Sequence, residues 1–137
     1  MVLICGSLSG QAQQPVTSDT LPAVIKGHFI DDYGIRYHIT DSVWMQLPNS
    51  KYHIISYNPS QKYILARNDD KNSTDAGLFT RIDVVEFDNM PPFLWGFCLA
   101  VYNATSLANA MDGEKTDRTQ PKKGCNGFPF SRMKRTK

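Results

Sequence analysis

A chain of 137 residues, 41% hydrophobic and 20% charged, is sized for one globular domain and is too short for two cores of ordinary size. Its formal net charge of +2 is too small to argue for specific nucleic-acid binding. The charge is uneven, however. From Asp117 onward seven cations (Arg118, Lys122, Lys123, Arg132, Lys134, Arg135 and Lys137) stand against one anion, a net +6 that leaves the rest of the chain at −4.

The opening MVLICGSLSGQAQQ is a short apolar run followed by small residues, and Gly10 and Ala12 fit the small-x-small pattern of a signal-peptidase site. The expectation is a signal peptide over residues 1–12, its start either truncated or misassigned because the positive n-region is missing; an ordinary amino-terminus is the alternative. A lipoprotein anchor through Cys5 is the weaker reading, since Ile4 stands where a small residue is usual. Residues 13–22 read as a flexible lead-in, 23–133 as a single β domain and 134–137 as a basic tail. No other stretch approaches the roughly 18 to 20 apolar residues that a membrane span needs. A secreted or otherwise extracytoplasmic protein, periplasmic or at the cell surface, is expected.

Beyond the lead-in the pattern is one of short β-type runs broken by turn residues. AVIKGHFID is ended by DDYG. IRYHIT alternates, with Ile35, Tyr37 and Ile39 on one face and Arg36, His38 and Thr40 on the other. VWMQL, KYHIISY and QKYILARN follow, separated by PNS and NPS, and DDKNSTDAG is a polar loop. LFTRIDVVEF opposes Leu78, Thr80, Ile82 and Val84 to Phe79, Arg81, Asp83 and Val85. FLWGFCLAVY is the longest apolar run outside the leader and reads as a central strand covered on both faces. Gly96 within it predicts a bulge or a close approach by another backbone. Thr105 or Ser106 can cap a short helix over LANAMDGE. GCNGFPFSRM reads as a last strand interrupted by Pro129, hence an edge, with Phe128 and Phe130 on a common face. The fold class is therefore all-β with one short helix: an antiparallel meander of about eight strands, barrel-like in the calycin manner or partly open.

Loss of the leader would remove Cys5 and leave Cys98 and Cys125, an even pair that in an exported chain is most simply one disulfide. The alternatives are a zinc site, which lacks the paired-cysteine spacing, and a catalytic thiol.

The stretches YHIISYNPSQKYILARND, GLFTRIDVVEF, LWGFCLAVY and GCNGF resemble a family of small exported domains found largely in bacterial lipoproteins and secreted proteins. Its marks are a YHI strand, a GLxxR strand, a WxxC strand and a terminal GCxGF. The resemblance spans roughly residues 25 to 132 and implies a β-rich fold with a bridge from Cys98 to Cys125; it implies no activity. The chain departs from lipoprotein members in lacking a good lipobox and in its basic ending.

Among residues that carry chemistry, His28, His38 and His53 fall on different strands, and Asp31 and Asp32 lie near His28, so an acid/base or metal site is conceivable. The loop NDDKNSTD has the oxygen ligands calcium prefers, but Asp75 falls where the calcium-loop pattern needs glycine and Arg81 where it needs glutamate. Asn72-Ser73-Thr74 and Asn103-Ala104-Thr105 satisfy the acceptor sequon for asparagine glycosylation, both in expected loops. GxSxG, GxGxxG, HExxH and phosphate-loop motifs are absent. The aromatics are then the ligand candidates: Trp44, Tyr52, Tyr57, Tyr63, Trp95 and Tyr102 would line a cavity if the barrel holds one.

The functional expectation is an exported, disulfide-stabilised β module without catalysis or cofactor, binding a small or apolar ligand or a surface partner. One rival is a structural domain docked to anionic material by Arg132, Lys134, Arg135 and Lys137. Another is an unusual hydrolase or metal-dependent enzyme using a histidine and a carboxylate.

Overall fold

The short runs of β-branched and aromatic residues fold as eight antiparallel strands that follow one another around a closed barrel. In the computed structural model, which describes residues 16–113 and 116–136, they are β1 (Gly27–Asp31), β2 (Arg36–Ile39), β3 (Val43–Gln46), β4 (Ser50–Asn58), β5 (Tyr63–Asn68), β6 (Phe79–Glu86), β7 (Trp95–Ala104) and β8 (Ser131–Arg135). The expected leader, Cys5 and Lys137 lie outside the described residues. Among the described residues no helix is long and apolar enough to cross a membrane.

Closure comes from the chain's last strand. β8 pairs with β7 through Trp95 opposite Met133, and with β1 through Phe29 opposite Arg135. Every strand thus has two neighbours, and the sheet has no edge. Two expectations are corrected here. The last strand begins after Pro129, not around it, and it is no edge. The basic ending is not an appendage, because Lys134 and Arg135 are ladder residues of β8 and Met133 between Arg132 and Lys134 is fully buried.

Inside the barrel the alternate residues of each strand meet in one core that includes Phe29, Tyr37, Ile39, Trp44, Ile64, Ile82, Trp95, Phe97 and Met133. The large rings pack edge to face: Trp44 against Trp95 at 5.7 Å, Trp44 against Phe97 at 4.9 Å, and Phe29 against Trp95 at 5.2 Å. Each such contact adds about 0.5 to 1.5 kcal/mol beyond the burial itself.

One end of the barrel is plugged. The segment expected to be a flexible lead-in is bound from Ser18 onward: Ser18 bridges to Tyr57, and Leu21 and Ile25 are buried in the core. Ala23–Ile25, the expected start of the first strand, is instead a single 3₁₀ turn. The Asp41 carboxylate accepts from the Leu21 amide at 2.8 Å and pairs with Lys26 at 3.0 Å. From the other end of the sequence, Arg135 donates to the carbonyls of Ala23, Val24 and Lys26. Gly27, at φ +124°, lets that guanidinium approach, since a Cβ there would stand 2.8 Å from its Nη1.

The two sides of the barrel differ. β1 to β4 keep one solvated face, and β2 shows the expected alternation, with Tyr37 and Ile39 buried and Arg36 exposed. β5, β6 and β7 are covered on both. The cover is α1 (Leu107–Met111), capped by Ser106 accepting from the Asn109 amide, together with the segment that follows it. Tyr63, Leu65, Ala104 and Ala110 form a second cluster beneath this helix. The alternation expected in β6 is therefore absent: Thr80 to Val85 are all buried, Arg81 and Asp83 included.

A third cluster, Val85, Cys98, Ala100 and Phe130, lies on the outer wall. There a disulfide joins Cys98 to Cys125 with Cα atoms 5.6 Å apart. At Gly96 the expected close approach is present: an added Cβ would stand 2.8 Å from both the Phe87 ring and the Ser131 carbonyl oxygen. Phe128 and Phe130 do not share a face, for Phe130 is buried in this cluster while Phe128 is 71% exposed.

Candidate functional site at the open end of the barrel

The β1–β2, β3–β4 and β5–β6 connections meet at the end opposite the plug, where β7 leaves the barrel. Two adjoining recesses open there. One, of about 300 Å³, is lined mainly by Tyr33, Tyr37, Phe97, Leu99, Tyr102 and Pro129, with Asp31, Gln46 and Ser131 among its polar members. The other, of about 280 Å³, is lined by Tyr52, Asn68, Thr74, Asp75, Leu99 and Tyr102. Leu99 and Tyr102 belong to both, so the pair forms one divided mouth.

Each wall has a buried polar residue that sets its shape. Asp31, only 4% exposed, accepts from the amides of Tyr33 and Ile35 and from the Tyr37 hydroxyl, the last at 2.8 Å. These three donors close the β1–β2 turn and orient the Tyr37 ring. Burial first, then the Asp31 hydrogen bond and charge, push the Tyr37 hydroxyl far above the ordinary tyrosine range. In the other wall Asn68 is buried, and its amide group donates to the carbonyls of Asp75 and Tyr102, at 2.9 Å each. Its own carbonyl accepts from the Thr80 hydroxyl. One side chain thereby ties the β5–β6 loop to the end of β7. Burial, and next the charge of Asp75, raise the Tyr52 pKa.

The six candidate aromatics scatter. Tyr52 and Tyr102 stand in the mouth. Trp44 and Trp95 are 1% and 0% exposed within the ring stack, filling the barrel instead of lining a void. Tyr57 is a core residue, and Tyr63 lies on the outer wall, with the Arg81 guanidinium over its ring. Tyr33, Asp31 and Asp75 were not among the ligand candidates. Asp31 ends β1 while Tyr33 and Asp75 come from turns, and only the circuit of strands brings them to one rim.

The remaining chemistry-bearing residues do not converge. His28 and His38 stack on the outside of β1 and β2 with ring centroids 4.2 Å apart, and His53 meets Asp69 at 2.7 Å on the β4–β5 surface. No cluster of three or more His, Cys, Asp or Glu suited to a metal occurs among the described residues. Asn72 binds the backbone of Lys51 through both ends of its amide, so the nitrogen a glycan would take is already a hydrogen-bond donor. Asn103 lies within β7, not in a loop, and is exposed. Of the basic ending, Arg132 pairs with Asp32 at 3.0 Å and lies over the Phe93 ring, and Arg135 fastens the plug; Lys134 is 5.9 Å from the same ring.

A larger recess of about 470 Å³ lies on the outer wall between the β4–β5 turn and the segment after α1. Two of its three basic residues are structural, and the third, Lys62, lies 4.0 Å from Glu86 near the surface. Arg81 pairs with Asp83 and donates to the carbonyls of Met111 and Gly113 at the end of α1, while Arg118 donates to those of Gln61, Lys62 and Val84. The fold and the mouth define a disulfide-braced, eight-stranded β-barrel module with one plugged and one open end. No protein-family model matches the chain, and no curated protein or solved structure matches it either.

Proposed function

We propose that the chain is an exported, non-catalytic module that takes a small, largely apolar ligand into the open mouth of its barrel. The observation that carries this reading is the divided recess, whose apolar floor at Tyr37, Phe97 and Leu99 sits beside the polar wall of Asn68, Thr74 and Asp75. Such a mixture, with few and placed polar groups on an apolar lining, is how small-molecule sites obtain both affinity and orientation. The rings of Trp44, Trp95 and Phe97 occupy the interior below, so the ligand rests in the mouth and its size is bounded by recesses of about 300 and 280 Å³. Export is supported by the disulfide, which persists in oxidising compartments, and by the small-x-small site at Gly10 and Ala12. Kinship with the exported, lipoprotein-type domains rests on the motifs given above.

The test is titration with neutral N-phenyl-1-naphthylamine, read by its own fluorescence and by tryptophan emission. Saturable binding that is lost in Leu99→Trp, which fills both recesses, and weakened in Tyr102→Ala is the expected result. Binding that survives both substitutions unchanged would place the ligand elsewhere.

A further inference from the structure

Resting on the mouth as the ligand site, we infer that its ligand is a small organic cation, an amine or quaternary ammonium carried on an apolar body. The charged side chains that line the two recesses are Asp31 and Asp75, and no lysine, arginine or histidine among the described residues lines either one. Around them stand the rings of Tyr33, Tyr37, Tyr52, Phe97 and Tyr102. Aromatic faces carry a negative potential that attracts cations, and the attraction strengthens where water is excluded. A rim of carboxylates and ring faces without a single cation is electrostatically one-signed.

The two carboxylates differ in what they can still do. Asp31 is buried and engaged by two amides and the Tyr37 hydroxyl, so it contributes negative charge to the site but little free hydrogen-bonding capacity. Asp75 is half-buried, and its side chain has no hydrogen-bond or ion-pair partner among the described residues. Its backbone carbonyl is held by Asn68 and the Leu78 amide, which fixes the residue at the rim. A carboxylate partly withdrawn from water and left unpaired is stabilised by any ligand that brings a cation to it. A neutral ligand would leave it unpaired, and an anion would be repelled.

The division of the mouth fits this chemistry. The more apolar recess, floored by Tyr37, Phe97 and Leu99, suits the ligand body. The recess holding Asp75, Asn68 and Thr74 suits the ammonium head, with Tyr52 and Tyr102 in its lining. A transition metal is disfavoured, because the two carboxylates come from separate parts of the rim and no cluster of three or more His, Cys, Asp or Glu occurs among the described residues.

The experiment compares three probes with one body and three charges by calorimetry: 1-naphthylmethylamine, 1-naphthalenemethanol and 1-naphthoate. The amine is expected to bind about tenfold more tightly than the alcohol, as one charge-assisted contact in a half-buried site supplies, with the carboxylate weakest. In Asp75→Asn the alcohol's affinity should persist and the amine's advantage disappear. Asparagine tolerates the left-handed backbone of this position, φ 54°, so the variant keeps the loop. The wild-type ratio of amine to alcohol decides the question independently of any variant. If all three probes bind alike, the cation inference falls and the mouth stands as the site; if none binds, both fall; if the amine's advantage survives in Asp75→Asn, the role of Asp75 is overturned.

Discussion

Arg81 and Asp83 stand two residues apart on β6 and form a 3.0 Å ion pair on the outside of the barrel, yet their side chains are only 3% and 5% exposed. The helix and the segment after it make the difference, since Arg81 reaches the carbonyls ending α1 and Asp83 accepts from the Thr116 hydroxyl at 2.8 Å. Removing one partner strands the other charge in a poorly solvated place. Arg81→Met is expected to cost about 3 kcal/mol in urea unfolding, whereas Arg81→Met with Asp83→Leu should recover part of that loss. A double variant less stable than the single one would show that desolvation of the stranded carboxylate is not the cause.

The closing strand yields a second prediction. Met133 is fully buried between Trp95 and Asp31 in the ladder, and Met133→Ala should destabilise by about 2 to 5 kcal/mol through loss of burial and the cavity left behind. A chain ending at Phe130 would lack β8 and expose the edges of β1 and β7. It should lose cooperative unfolding altogether, by calorimetry; a retained sharp transition would show that closure by β8 is dispensable.

The disulfide spans a separation of 27 residues, which in the chain-entropy treatment is worth about 3 to 4 kcal/mol. Cys98→Ala with Cys125→Ala should lower stability by that order. Because Cys125 holds the 120–130 loop beside the mouth, the same variant should weaken probe binding more than a distant variant of equal stability cost. Peptide mapping without reductant should recover the two cysteines joined.

Tyrosine burial sets the alkaline limit. Tyr37, Tyr52 and Tyr57 all have pKa values raised above the ordinary 10.0, in each case by burial first. With the folded value raised, the unfolded chain releases its protons first, so stability is full below pH 10 and declines as the pH rises past it. Tyr37→Phe removes the hydroxyl that donates to Asp31 and should cost about 1 to 3 kcal/mol at neutral pH. That gap should narrow above about pH 10, followed by denaturant midpoints at several pH values. Parallel pH profiles for the two proteins would contradict the assignment.

Much of the barrel is legible in its sequence because burial on one face leaves a period of two. IRYHIT shows it, with Tyr37 and Ile39 inward, and FLWGFCLAVY shows the continuous run of a doubly covered strand. SRMKR conceals its strand: within five residues only Met133 is apolar, and Arg135 acts through its guanidinium against the plug, a contact that no local pattern encodes. Arg81 and Asp83 mimic a solvated face because their cover is a five-residue helix and a polar segment with little apolar signal. At the mouth, Tyr52 and Tyr102 could be drawn from the aromatic residues, but nothing local marks Asp31 and Asp75 as rim residues, since their meeting depends on the whole circuit of strands.

The bond between Arg135 and the carbonyls of Ala23, Val24 and Lys26 joins the two ends of the described chain at the plugged end. During synthesis β1 must wait for a partner more than a hundred positions away, so its second edge stays bare until residue 135 has left the ribosomal tunnel. Closure of the wall and the Arg135 fastening of the plug therefore come last, and a translation product that stops short of β8 is a target for chaperones and proteases.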